Sequence, residues 1–197
     1  MQLSPCSEPC CSYRRVYSGI AAGPPSPGRQ SVATEAVVIR RAGSDDIAAI
    51  TEIYNEAILT TTATFDLEPK TTADRAHWLE ARSERFGVLV AEIDGEVVGW
   101  GALTPWSDRA AYADTAETAL YVHSSYRDRG IGRRLKQALI DEAKRQRFHT
   151  LIARVTEDSA ASIHLNRSFG FAHVGTLQEV GRKFGRWLDV LIMQKLL

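Results

Sequence analysis

At 197 residues, with 44% hydrophobic and 24% charged side chains, the chain is long enough to bury one sizeable core without disulfides or a structural metal. Lys and Arg together number 24, as do Asp and Glu, so the net charge is zero and any anion-binding site has to be local; nothing global draws the chain to nucleic acid or anionic membrane. No apolar run approaches the roughly 20 residues of a membrane-spanning helix, and the N-terminus lacks the apolar h-region of a secretory signal, so a cytoplasmic enzyme-sized domain is expected.

Residues 1–36 read as a disordered extension. Pro5, Pro9, Pro24, Pro25 and Pro27 break any helix, Ser and Gly fill the gaps, and Cys6, Cys10 and Cys11 have no downstream cysteine to pair with. Arg14, Arg15 and Arg29 against only Glu8 and Glu35 lend the segment a transit-peptide flavour, but a non-functional tail is the preferred reading. The folded domain is expected to span 37–197.

From Val37 the texture changes. Val37 to Arg40 is a β-branched strand, and Ser44 or Asp45 is expected to cap a helix carrying Ile47, Ile50, Ile53, Tyr54 and Ile58. Thr71 and Thr72 precede a second helix with Ala76, Trp78, Leu79 and Ala81, which Gly87 is expected to end. Two apolar runs, 88–93 and 97–103, flank Asp94-Gly95, a strong hairpin signal. The next strand, 115–122, puts Ala116, Leu120 and Val122 on one face and Glu117, Ala119 and Tyr121 on the other. A helix follows, with Ile131, Leu135, Ala138, Leu139 and Ala143 inward and Arg133, Arg134, Lys136, Glu142 and Lys144 outward, ending near Arg147. Then come a strand at 150–155, a short helix from a Ser159 cap through Phe169, and two strands, 171–180 and 187–196. The order βααβββαβαββ, one hairpin among strand-helix-strand crossovers, implies an α/β fold: a mixed sheet with helices on both faces.

The most informative residues are Arg127-Asp128-Arg129-Gly130-Ile131-Gly132, set between a strand and a helix. Glycines at 130 and 132 let a ligand approach the backbone, the first amides of the helix have no partner within it, and the helix dipole is positive there. Arg127, Arg129 and Arg133 add charge, so the turn suits a phosphate. It is neither a Walker loop, for want of Gly-Lys-Ser/Thr, nor a dinucleotide fingerprint, for want of a third glycine. The bland alternative is a strand-helix connection with solvated arginines.

This R-x-x-G-x-G turn resembles the acetyl-CoA pyrophosphate loop of the GNAT superfamily. Three further stretches are similar to its phosphinothricin N-acetyltransferase family, which includes methionine sulfoximine and arsinothricin acetyltransferases. They are Ile53 to Ile58 with Ala63-Thr64-Phe65, Arg109 to Tyr112 with Thr115-Ala116-Glu117, and Glu179 to Val190. The resemblance runs from about Val37 to the C-terminus. It implies a GNAT-like, mostly antiparallel sheet of about seven strands, direct acetyl transfer from acetyl-CoA to the α-amine of a small amino-acid-like substrate, and no metal. By resemblance Glu117 is the base, and backbone groups near Leu120, Tyr121 and Val122 hold the acetyl-pantetheine arm. The turn from Arg127 through Asp128, Arg129, Gly130, Ile131 and Gly132 to Arg133 holds the pyrophosphate. Arg109, Tyr112 and Lys183 are candidates for a substrate carboxylate, with Phe65 and Trp187 as pocket walls; a homodimer is common in the family.

Two positions depart from the family pattern. Asn166 stands where many members carry Tyr or His; an amide is no general acid, although it can hydrogen-bond a thiolate. Ser159 replaces an Asn that contacts the pantetheine arm, and can cap its helix instead. The alternatives left open are a peptide or protein N-acetyltransferase and a non-catalytic acetyl-CoA-binding module.

Overall fold

The computed structural model describes residues 36–197, so the predicted tail and its cysteines lie almost wholly outside the described residues. The elements are β1 (Val38–Arg41), α1 (Ile47–Thr60), α2 (Thr72–Glu80), β2 (Val88–Ile93), β3 (Glu96–Pro105), β4 (Thr115–Val122), α3 (Ile131–Arg145), β5 (Thr150–Thr156), α4 (Ala160–Ser168), β6 (Ala172–Lys183) and β7 (Arg186–Leu196). Their order is the predicted βααβββαβαββ. The seven strands form one sheet, β1-β2-β3-β4-β5-β7-β6, antiparallel throughout except where β4 meets β5.

The β2–β3 hairpin turns at Asp94 (φ 51°) and Gly95 (φ 85°), the two positive φ values that match the twist of the flanking strands. One face of the sheet packs on α3: Leu89, Ala91, Leu103, Ala116, Leu151 and Ala153 meet Ile131, Leu135, Leu139 and Ala143. Each such Leu contributes about 1.5–3 kcal/mol by burial. The helix lies so near that a Cβ on Gly101 would sit 2.8 Å from Leu139 Cδ1. The other face buries Ile50 and Ile53 of α1 on Val88, Val90, Trp100 and Ala102, with Tyr54, Trp78 and Tyr121 around them.

Several local expectations are corrected. Before α1, Ser44–Asp46 is a 3-10 turn, and it is the Asp46 carboxylate that accepts the Gly43 amide at 2.8 Å. The second helix stops at Glu80, well short of Gly87, because a separate 3-10 turn, Glu84–Phe86, intervenes; Thr71 does cap it, in a reciprocal pair with Asp74. On α3, Lys136 and Glu142 point inward, only 2% and 0% exposed. Glu142 is ion-paired there with Arg41 and Arg145, whereas Lys136 has no anionic partner among the described residues. The Ser159 hydroxyl caps nothing, although its backbone carbonyl accepts the Ile163 amide at 3.0 Å. No helix among the described residues is long and apolar enough to cross a membrane.

Candidate active site

The site is built on β4. That strand pairs with β3 from Pro105↔Ala116 to Gly99↔Val122, but with β5 only at Thr115↔Thr150, Ala116↔Leu151 and Glu117↔Ile152. From Thr118 onward the parallel strands separate, leaving one edge of β4 without a neighbouring strand. Backbone N–H and C=O groups at such a split need partners, and an extended chain bearing amides, as pantetheine is, supplies both donor and acceptor. The split therefore fits the arm of acetyl-CoA.

At its open end lies the 127–133 turn. Asp128 and Gly130 take positive φ (62° and 78°), a Cβ on Gly130 would meet nothing within 4 Å, and no side chain caps α3. The first-turn amides thus remain available to an anion at the positive end of a 15-residue helix. Arg127 donates from Nε to the Val122 carbonyl at 3.3 Å, Arg129 stacks 5.0 Å from the Tyr126 ring, and Arg133 stacks on Phe169 and reaches Ser168 Oγ at 3.4 Å. All three are exposed. Leu165 of α4 lies against Gly132, so α3 and α4 flank the split on the same side. Ile131 is buried beneath.

Leu120 and Val122 pack toward α3, while Tyr121 turns to the other face, 4.8 Å from Trp100 and 5.1 Å from Tyr54. Burial, reinforced by Tyr54, raises the Tyr121 phenol and keeps it protonated. Asn166 is buried; its Nδ2 donates to the Ser162 carbonyl at 2.9 Å and its Oδ1 has no partner. That amide is engaged inside its own helix.

Glu117 occupies the last paired rung, on the α1–α2 face, its side chain 15% exposed. Arg154 grips both carboxylate oxygens, at 2.7 and 2.8 Å, and Glu117 in turn holds the guanidinium charged. Each carboxylate oxygen has a second lone pair, so Glu117 can still accept from an ammonium or a bridging water. Sequence reading missed Arg154, although a lone cation in the apolar run Thr150 to Val155 signalled it.

The predicted substrate residues are not brought together as one set. Phe65 folds over Gly181, where a Cβ would lie 2.0 Å from its ring. Lys183, a candidate for the substrate carboxylate, is 3% exposed, donates to the Thr64 carbonyl at 2.7 Å and has its pKa lowered by burial. Both contacts tie residues 61–71 to β6. Trp187 is 57% exposed and pairs across the hairpin with Arg182, one rung off Gly181↔Leu188, which puts it on the opposite face from Phe65. The two do not form one wall. Arg109 and Tyr112 are exposed on the 3-10 turn before β4, and neither side chain bonds another predicted site residue.

A different cation holds the centre. Arg75 of α2, 7% exposed, lies 3.9 Å from the Trp78 ring, 4.4 Å from Tyr54 and 5.0 Å from Trp100, and its Nε and Nη2 have no hydrogen-bond partner. Desolvation lowers its pKa. Tyr54 bonds Thr64 and Asp66, both at 2.9 Å. Arg75 and Tyr121 both lie against the Tyr54 and Trp100 rings, and Tyr121 shares its face of β4 with Glu117.

The Acetyltransferase (GNAT) family model matches residues 50–171. An L-methionine sulfoximine/L-methionine sulfone acetyltransferase of Salmonella typhimurium is 42% identical over 159 residues, which is 80% of this chain and 93% of that one. The structure of yncA from the same species, an acetyltransferase with acetyl-CoA as its cofactor, superposes with a TM-score of 0.79 at 41% identity, covering 81% of this chain and 93% of that one. A ribosomal-protein-alanine N-acetyltransferase from Brucella melitensis gives 0.80 at 44% identity, over 81% and 99%. With its split sheet, its uncapped glycine turn ahead of α3 and these relatives, the chain belongs to the GNAT acetyltransferase family.

Proposed function

We propose that residues 37–197 transfer the acetyl group of acetyl-CoA directly to the α-amine of a small amino acid of methionine sulfoximine, methionine sulfone, phosphinothricin or arsinothricin type. The observation that carries this reading is the position of Glu117 at the closed end of the split. On one side of it runs the slot that leads to the uncapped α3 amides; on the other lies an aromatic enclosure containing an unpaired cation.

Each group then has a task. The α3 amides with Arg127, Arg129 and Arg133 take the pyrophosphate, and the free edge of β4 from Leu120 to Val122 takes the pantetheine amides and steadies the thioester oxygen as charge builds on it. The Ser159 hydroxyl, which caps no helix, is a further candidate for the same arm. Glu117 accepts the proton of the substrate ammonium, directly or through water, and so exposes the nitrogen lone pair. Arg75 supplies the positive counterpart of the substrate carboxylate, a role for which Arg109, Tyr112 and Lys183 are less suited by position or prior commitment. Acetyl-CoA brings the activated acetyl group, and no metal is required.

A second reading, acetylation of a peptide or protein N-terminus, draws on the similarity to the Brucella chain. The burial of Arg75 among three rings favours the small substrate, because a cation so enclosed suits a free α-carboxylate that an internal peptide residue lacks. We also propose a homodimer, supported by the exposed apolar Val174, Leu177, Val180, Phe184 and Trp187 on the terminal hairpin of the sheet. A cytoplasmic location accords with the use of acetyl-CoA.

The deciding experiment is thiol release from acetyl-CoA by the purified chain against these amino acids, the common amino acids and short peptides. Turnover with methionine- or glutamate-like amino acids is expected. Turnover with peptides alone would transfer the assignment to proteins, and silence with intact acetyl-CoA binding would favour a non-catalytic module.

A further inference from the structure

Lys136 sits in the middle of α3, four residues after Gly132 and so on the same face of the helix, aimed at the split. It is 2% exposed. Its Nζ donates to Thr118 Oγ1 at 2.8 Å and lies 4.0 Å from the centre of the Phe171 ring. Thr118 is the first β4 residue beyond the last β4–β5 rung, and its hydroxyl spans the opening gap to the Ile152 carbonyl with a long bond of 3.3 Å. A lysine and a hydroxyl therefore meet at the apex of the split, on the face opposite the Glu117–Arg154 pair.

The leaving group needs what this pair offers. Acetyl transfer expels a thiolate, and Asn166, at the position where a general acid is expected, has its amide engaged with Ser162 and no proton of useful acidity. We propose that Lys136, acting through the Thr118 hydroxyl, stabilises the departing CoA thiolate and returns a proton to it. This rests on the acetyl-transfer reading above. As the thioester C–S bond breaks, its electron pair stays on sulfur. The Thr118 hydroxyl swings from Ile152 and gives its proton to that sulfur, while Lys136 Nζ gives a proton to Thr118 Oγ1. The ammonium ends as an amine, the thiolate as a thiol, and water reprotonates the amine once CoA leaves.

The surroundings suit a group that cycles its proton. Burial alone presses the Lys136 pKa down to about 7, near the range where both forms are populated. The other charged groups on the packed elements stand apart: Glu117 and Arg154 neutralise each other across the sheet, Arg133 stacks outward on Phe169, and the Lys195 ammonium lies against Gly170. A purely structural role would be better filled by an aliphatic side chain, which carries no desolvation cost.

Lys136 is on this reading a positioning residue for the proton, and its test needs a readout besides turnover. Ultraviolet titration of the CoA thiol bound to the full chain provides it. In the native protein the bound thiol is expected to ionise well below the roughly 8.5 of a free thiol, by about one pH unit; Lys136→Met and Thr118→Val return it to the free value, while Thr118→Ser keeps the shift. With a good amine acceptor, kcat of Lys136→Met is expected to fall about 100-fold, within the range of lost acid catalysis, and to lose the alkaline limb of its pH profile. An identical thiol titration in native and Lys136→Met protein, both binding CoA equally, overturns the proposal. A shifted thiol in a chain that acetylates no amine would instead overturn the acetyl-transfer reading, and with it the catalytic role of Lys136, leaving only its contact with the bound thiol.

Discussion

On its α3–α4 face the β4–β5 split is lined by small and aliphatic groups, Gly132, Leu120 and Leu165, with a single buried cation, Lys136. On its α1–α2 face it is lined by rings that meet mostly edge to face, Tyr54, Trp78, Trp100 and Tyr121, with a second buried cation, Arg75, and the bound pair Glu117–Arg154. The first face ends in an uncapped helix and is otherwise apolar, suited to a ligand that brings its own polar groups. The second is crowded and polar, suited to a small charged molecule held in one pose. A reaction that joins a long activated donor to a small zwitterionic acceptor needs this asymmetry, and mutations on the two faces should separate into donor and acceptor effects.

The largest effect is expected at the rung between the faces. Glu117→Gln removes the proposed base yet keeps the shape, so kcat should drop by about 10²–10⁴ while calorimetric acetyl-CoA affinity stays within twofold. A loss of affinity as large as the loss of rate would erase the division. Next comes the donor face. Gly130→Val forces a β-branched residue into φ 78° and crowds the α3 amides, so acetyl-CoA is expected to bind about 100-fold more weakly, with the fold intact by circular dichroism.

On the acceptor face Arg75→Met should raise KM for the amino acid by about 10–100-fold, the loss of one charge-assisted contact of roughly 1.5–3 kcal/mol, and leave KM for acetyl-CoA unchanged. An unchanged amino-acid KM would return the carboxylate to Arg109 or Tyr112. The smallest effect is on stability. Because the folded Lys136 pKa, about 7, lies below its ordinary 10.5, the unfolded chain binds the extra proton between those values. Stability should therefore rise with pH across that window, and below pH 7 the burial cost, a few kcal/mol at about 1.4 per unit, is fully present. Denaturant titration of Lys136→Met should flatten this rise and give a more stable protein at neutral pH.

The architecture of the α3–α4 face was legible in the sequence because its signals are local. Arg127 to Arg133 sit in one turn, the Asp94-Gly95 hairpin fixes β2 on β3, and strand alternation alone places Glu117 opposite Leu120. The acceptor face was not, because its contacts join distant residues: Glu117 to Arg154, Lys183 to Thr64, Phe65 to Gly181. No periodicity reports such pairs. The inward turn of Lys136 and Glu142 went unread for a related reason: both flank the apolar stripe of α3, and charge was taken to mean solvent. Glu142 is offset by ion pairs with two arginines, and Lys136 bonds a hydroxyl.

The most direct measurement is to incubate the purified chain with acetyl-CoA carrying a ¹³C label in the acetyl carbonyl, together with methionine sulfoximine, and to follow the label by NMR and intact-protein mass spectrometry. The expected result is one labelled α-N-acetyl group for each thioester consumed, with none on the protein. A label retained on the protein, or a thioester that disappears without forming an amide on the amino acid, would contradict direct transfer across the split.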